Sequence, residues 1–284
     1  MKTAWNLIYI VLGYTFLIKF ILRASGVLPK GSPHVWWLYT AAAAVVLGAL
    51  MLPKVIAARS GGKPMLYTEE EMCAVQQHIE SCLGKSEYVL HELISPDIHV
   101  DIIVIPPTDT RPYYTLCTLG MGAHRMRIPR DLRGITPARC ELCITLPPHW
   151  RLDKESLEQE EWYWPIRWLK QVARYPLYCH TWLTFAHTIA DEDGGGLAPG
   201  VSFNSFILDR LPDELPSADT TLPGGEPFTI YRLHPLYPEE LQFALQHGSL
   251  LLLQTLHEQL PPLAPVDPHR PTLRLTPPPH DSSL

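Results

Sequence analysis

The sequence predicts an α+β domain, with a mixed or antiparallel sheet and helices packed on it, preceded by a two-helix transmembrane hairpin. Three observations carry this. Residues 1–63 hold seven Lys or Arg and no Asp or Glu, and contain two long apolar runs. Residues 64–284 switch between helical and strand periodicity in the order helix, several strands, helix, strands, helices. The length of 284 residues and the 46% apolar content suffice for a sizeable core.

The first apolar run, W-N-L-I-Y-I-V-L-G-Y-T-F-L-I-K-F-I-L at 5–22, is broken by Asn6 and by Lys19, which is close enough to an end to snorkel. A cleaved signal peptide is disfavoured because no small-residue cleavage site stands in the right place. The second run, at 35–52, has 18 uncharged residues with Trp36, Trp37 and Tyr39 at one end, as an interfacial aromatic belt requires. It lacks the polar face expected of a core helix. Two spans return the chain to the side it started from. Lys2, Lys54, Arg59 and Lys63 outside the hairpin, against Arg23 and Lys30 in its loop, favour a cytoplasmic soluble domain on a multi-pass protein of the inner membrane.

Domain organisation then reads as follows: 1–58 the two spans, 59–64 a linker, 65–260 the globular domain, 261–284 a disordered tail. In the domain, Thr68 with Glu71 forms a capping box, and Met72, Val75, Ile79 and Leu83 recur at helical spacing until Gly84. Residues 87–94 and 98–105 read as a hairpin across S-P-D, with Ile98, Val100, Ile102 and Val104 on one buried face. Third and fourth strands follow at 113–119 and in R-C-E-L-C-I-T-L, 139–146. Pro165 and Pro176 bracket a helix at 165–174. Further strands are expected at 182–188, 201–208 and 228–233, then a helix from Pro238 to Gly248 and a last helix after it. Eight prolines from Pro261 onward predict an extended tail.

Past residue 63 the chain carries 16 basic and 29 acidic residues, 16 − 29 = −13, which excludes nucleic acid as the expected partner. Cys140 and Cys143 have the C-x-x-C spacing of zinc and dithiol sites, yet on a strand residues three apart point to opposite faces. No metal or cofactor is therefore expected, and with six cysteines in a domain with an ample core the thiols read as reduced. His99 and Asp101 share one strand face, as a hydrolase pair would, but G-x-S-x-G, H-E-x-x-H and P-loop patterns are absent. A hydrogen-bonded polar stripe is the preferred reading, and no catalytic residue is assigned. Gly194 to Gly196 follow D-E-D, an approach that repels phosphate. Tryptophans 150, 162, 164, 168 and 182 cluster near E-S-L-E-Q-E-E-W-Y-W. There Glu158, Glu160, Glu161 and Trp162 are candidates for contact with a basic partner.

The ordered series D-I-H-V-D-I-I-V-I-P-P-T, Y-T-L-C-T-L-G-M-G, R-C-E-L-C-I-T-L-P-P-H-W, W-P-I-R-W-L-K-Q-V-A-R-Y-P and L-H-P-L-Y-P-E-E-L-Q-F-A-L-Q-H-G resembles the suppressor of fused-like family across 66–259. His99 and Asp101 match its H-x-D strand, and Gly120 with Met121 its G-M turn, where Gly122 replaces the usual Ser. Glu141 matches its E-L strand, whose neighbours are commonly not paired cysteines. Pro147 and Trp150 match the L-P-x-x-W ending, and His234, Pro235 and Leu236, followed by Glu239 and Glu240, the H-P-L and E-E-L run. The resemblance implies a non-catalytic protein-binding domain, which in bacteria is associated with immunity proteins of polymorphic toxin systems. The expected partner is then a protein, a basic toxin domain, with no small-molecule substrate. The alternatives are a membrane-bound hydrolase using His99 and Asp101, and a membrane scaffold that recruits through its Pro-rich tail.

Overall fold

A computed structural model describes residues 63–191 and 195–277. The spans expected at 5–22 and 35–52 lie outside them. Among the described residues no helix is long and apolar enough to cross a membrane. The longest helix there, Glu160–Tyr178, carries Glu160, Glu161, Arg167, Lys170 and Arg174, charges that a bilayer would not accept. The expectation is corrected accordingly: the mixed sheet with packed helices stands, whereas the transmembrane hairpin and the inner-membrane placement are not carried forward.

The first helix, α1 (Glu69–Leu83), begins at the anticipated capping box, with the Thr68 hydroxyl accepting the Glu71 amide and the Glu71 carboxylate accepting the Thr68 amide. It buries Val75, Ile79, Cys82 and Leu83. The strands are β1 (Tyr88–Leu90), β2 (Asp101–Ile105), β3 (Tyr114–Leu119), β4 (Arg139–Leu146), β5 (Thr188–Ala190), β6 (Ser205–Asp209), β7 (Thr220–Thr221) and β8 (Pro227–Leu236). They form one sheet in the order β1-β2-β3-β4-β8-β6-β5, with β7 also on β8. All pairs are antiparallel except β4 with β8, which run parallel at the centre with Arg139 opposite Phe228 and Cys143 opposite Arg232. The first hairpin is shorter than its sequence suggests, and residues 91–100 make a long connection instead of a tight turn.

Helix α2 (Glu160–Tyr178) extends beyond Pro165 at one end and Pro176 at the other. Each proline forgoes one backbone hydrogen bond. Burying Trp164, Ile166, Leu169, Val172 and Ala173 offsets that loss, at roughly 1.5–3 kcal/mol for each large apolar side chain. Helices α3 (Pro238–His247) and α4 (Ser249–Gln259) follow β8, separated by Gly248.

Apolar clusters cover both faces of the sheet. One joins Ile98, Ile102, Leu116, Leu142 and Leu233 to α2. The other joins Ile103, Cys117, Cys143, Phe228 and Ile230 to α1. A third packs α3 and α4 on Ile207 and Leu236. Every residue of β4 is consequently buried, and the face holding Arg139, Glu141 and Thr145 lies inside the molecule. Cys140 and Cys143 belong to opposite clusters, as strand alternation requires.

The disordered tail is corrected for residues 261–277. Leu263, Val266 and Leu273 are buried. The segment is irregular yet hydrogen-bonded: the Val266 amide donates to Thr145 O at 2.8 Å, and the Tyr237 hydroxyl donates to Arg270 O at 2.6 Å. Proline prevents ladder formation but not burial. Residues 278–284 lie outside the description.

Candidate functional site

Parallel β4 and β8 pair as far as Cys143 and Arg232 and then part. The segment 261–270 crosses the fork as a strap. A cavity of about 1000 Å³ lies beneath it, lined by Trp150, Glu161, Trp162, Arg232, His234 and Pro265. Residues singled out along the sequence for separate reasons thus meet on one cavity: Pro147 and Trp150 after β4, Glu161 and Trp162 at the start of α2, His234 and Pro235 on β8.

Its aromatic wall is rigid. The Trp150 indole N–H donates to Trp162 O at 3.1 Å, and the Trp150 ring meets Trp162 and Trp164 edge to face at 5.3 and 6.2 Å. Arg151 lies over the Trp162 ring at 5.7 Å. Outside this wall, residues 153–161 carry five acidic side chains and one lysine. Glu158 and Glu161 are exposed, and Trp162 is half-buried. Glu160 is drawn away, since its carboxylate pairs with Arg167. Three of the four expected partner-contact residues therefore remain available.

The opposite wall carries buried polar groups. Arg232 donates to Thr145 Oγ1 at 3.2 Å and to Ala264 O at 2.5 Å, which ties the strap to the sheet. Burial lowers its pKa to about 10, so it stays charged at neutral pH. Behind it, Asp209 Oδ2 accepts from His234 at 3.2 Å and His257 at 2.6 Å. Burial and the neighbouring Arg232 charge pull the His234 pKa down to about 4, which makes it a neutral donor. Arg270 holds the far end of the strap, with Nη1 and Nη2 on the two oxygens of buried Glu240 at 2.7 and 2.6 Å.

Other sequence-predicted positions form two separate nodes. Glu141 is fully buried and accepts from five donors: Tyr67 Oη at 2.7 Å, Thr118 Oγ1 at 2.5 Å, and the amides of Gly120, Met121 and Gly122 at 2.9, 3.2 and 3.1 Å. Burial pushes its pKa up, against these hydrogen bonds. Gly120 has φ +128°, and a Cβ there would lie 1.9 Å from His99 O. A Cβ on Gly122 would meet Tyr67 Oη at 2.1 Å, so the tyrosine accounts for glycine where a serine was expected. At the second node, His99 Nε2 lies 3.0 Å from Asp101 Oδ1, and Asp101 also accepts from the Glu92 amide at 2.8 Å. Leu236 belongs to the α3–α4 core. Among the described residues no group of His, Cys, Asp or Glu is arranged to hold a metal ion.

Sequence reasoning missed Tyr67, Arg232 and Arg270. Arg232 had a signal, a lone charge within the apolar strand F-T-I-Y-R-L.

The sequence matches the family described as Suppressor of fused protein (SUFU) over residues 96–271. No curated protein matches it significantly. Among solved structures, a putative SUFU homologue from Neisseria gonorrhoeae FA 1090 is similar, with 14% identity, TM-score 0.50, and coverage of 72% of this chain and 97% of that one. Drosophila Suppressor of Fused gives 14%, 0.45, 66% and 46%. The Sufu-Fu complex structure gives 14%, 0.47, 69% and 86%.

Proposed function

Because the chain belongs to the suppressor of fused family, a family of protein-binding regulatory domains, we propose that it is an immunity protein that binds and occludes a cognate basic toxin domain. One observation carries the reading: the cavity beneath the strap opens beside the acidic stretch 153–161, with Glu161 belonging to both and Trp162, also on the cavity wall, following directly after it. An aromatic-walled recess with a negative rim suits a cationic protein that inserts an apolar anchor. The charge of −13 past residue 63 steers encounter, and burial against Trp150 and Trp162 slows release.

The test pairs the full chain with a basic effector domain encoded by a neighbouring gene. Co-expression restores growth, and the purified proteins form a complex whose association rate falls with salt. Glu161→Lys with Glu158→Lys slows association, and Trp162→Ala speeds dissociation. Unimpaired binding by all three substitutions together would sink this assignment of the surface.

A further inference from the structure

We propose that Ser95, His99 and Asp101 form a second site, a serine nucleophile that hydrolyses esters of apolar acyl groups. Ser95 Oγ lies 2.7 Å from His99 Nδ1, and His99 Nε2 lies 3.0 Å from Asp101 Oδ1. Asp101 is 7% exposed and further fixed by the Glu92 amide and by His91 Nδ1 at 2.9 Å. A neutral His99 that donates from Nε2 to this carboxylate presents its Nδ1 lone pair to the Ser95 hydroxyl. Serine, imidazole and carboxylate in this order activate a hydroxyl whichever ring nitrogen faces it.

A second carboxylate oxygen, Glu92 Oε2, is also 2.7 Å from Ser95 Oγ. It already accepts from the Val100 amide at 3.2 Å and from Arg174 Nη2 at 2.7 Å. Glu92 Oε2, to which the Ser95 hydroxyl can also donate, is thus already shared by two other donors, and we assign the Ser95 proton in the reaction to His99 Nδ1.

Access distinguishes this node from the one around Glu141. Ser95 and His99 are half-exposed, and Leu93 and Ile94, directly before the serine, are 96% and 67% exposed. Such apolar side chains beside a nucleophile suit an acyl chain. In the reaction Ser95 Oγ bonds to the acyl carbon while its proton passes to His99 Nδ1. The C–O bond of the ester breaks, and the departing alkoxide takes that proton. Water then adds to the acyl-serine, with its proton moving to His99 and on to Ser95 as the carboxylic acid leaves. Ester and water become acid and alcohol, with no other reactant.

The experiment treats the full chain with a fluorophosphonate probe and, separately, with p-nitrophenyl butanoate. The expected results are one phosphonyl adduct, located at Ser95 by peptide mass spectrometry, and nitrophenolate release that Ser95→Ala abolishes. His99→Gln lowers the labelling rate about 100-fold. Asp101 acts as a positioning residue: Asp101→Asn lowers that rate with circular dichroism unchanged, and Asp101→Glu recovers part of it. Ser95→Cys gives a readout that tolerates loss of other variants, since its thiol should react with iodoacetamide faster than exposed Cys73. Absence of an adduct at Ser95, labelling undiminished in folded His99→Gln, or a Ser95→Cys thiol slower than Cys73 overturns the proposal. None of these outcomes bears on toxin binding, which uses a different surface.

Discussion

Tyr67, just ahead of α1, donates its phenol to Glu141 at the centre of the sheet, 2.7 Å away and across 74 residues of chain. Both groups are buried, and Arg139 stacks over the same ring at 5.2 Å while pairing with Glu71 and Glu226. The contact locks α1 to β4 and to the turn at Gly120. Glu141→Ala leaves several donors without an acceptor and is expected to cost about 3 kcal/mol or more, against about 1 kcal/mol for Tyr67→Phe. Urea unfolding curves of the two variants check the order.

Acid should destabilise the domain through His234. Its folded pKa of about 4 lies below the ~6.5 of an unfolded histidine, so only the unfolded chain takes up the proton between these values. Stability is complete above about pH 6.5, falls by about 3 kcal/mol as the pH drops to about 4, and loses nothing further from this group below that. Asp209, whose pKa is lowered by His234 and His257 against the effect of burial, acts in the same sense at lower pH. Urea midpoints at pH 7.5 and 4.5 should converge in His234→Gln relative to the parent protein.

Thiol reactivity should divide the cysteines by exposure. Cys73 and Cys179 are exposed, whereas Cys82, Cys117, Cys140 and Cys143 are buried, and burial raises the pKa of each of those four. Iodoacetamide is expected to modify two thiols in the native protein and the other four only in urea, as intact mass will show.

The strap should depend on Arg270. Arg270→Ala leaves Glu240 buried and without its ion pair, at an expected cost of about 3–5 kcal/mol. Limited proteolysis should then cut between 261 and 273 first, whereas Glu240→Gln with Arg270→Met should restore much of the resistance.

Much of this architecture was legible in local pattern. The capping box at Thr68 and the alternation of β4 both appear in the structure, because each is set by neighbouring residues. What covers a strand is not a local property. Arg139 and Glu141 put charge on one side of β4, but α1 and α2 bury both sides of the sheet, so those charges are internal anchors. Proline rules misplaced the ends of α2 because tertiary burial outweighs one missing hydrogen bond at Pro165 and at Pro176. The same rules hid the strap, whose backbone is satisfied by Tyr237, Arg232 and Thr145 from distant parts of the chain. Trp150, Glu161 and Trp162 were recognisable by composition. Ser95 was not, since its four-residue offset from His99 has meaning only once the 91–100 connection folds back on β2.

The parallel pairing of β4 with β8 has a kinetic consequence. Its two strands are separated by a helix, three further sheet strands and long connections, so the sheet cannot close at its middle until β8 has been synthesised. During translation β1 to β4 would wait as an incomplete hairpin stack, with the apolar edge of β4 open to other nascent chains. Refolding yield should therefore fall steeply with protein concentration, and saturating the nascent chain with a holdase should protect this domain more than one whose central strands are adjacent in sequence.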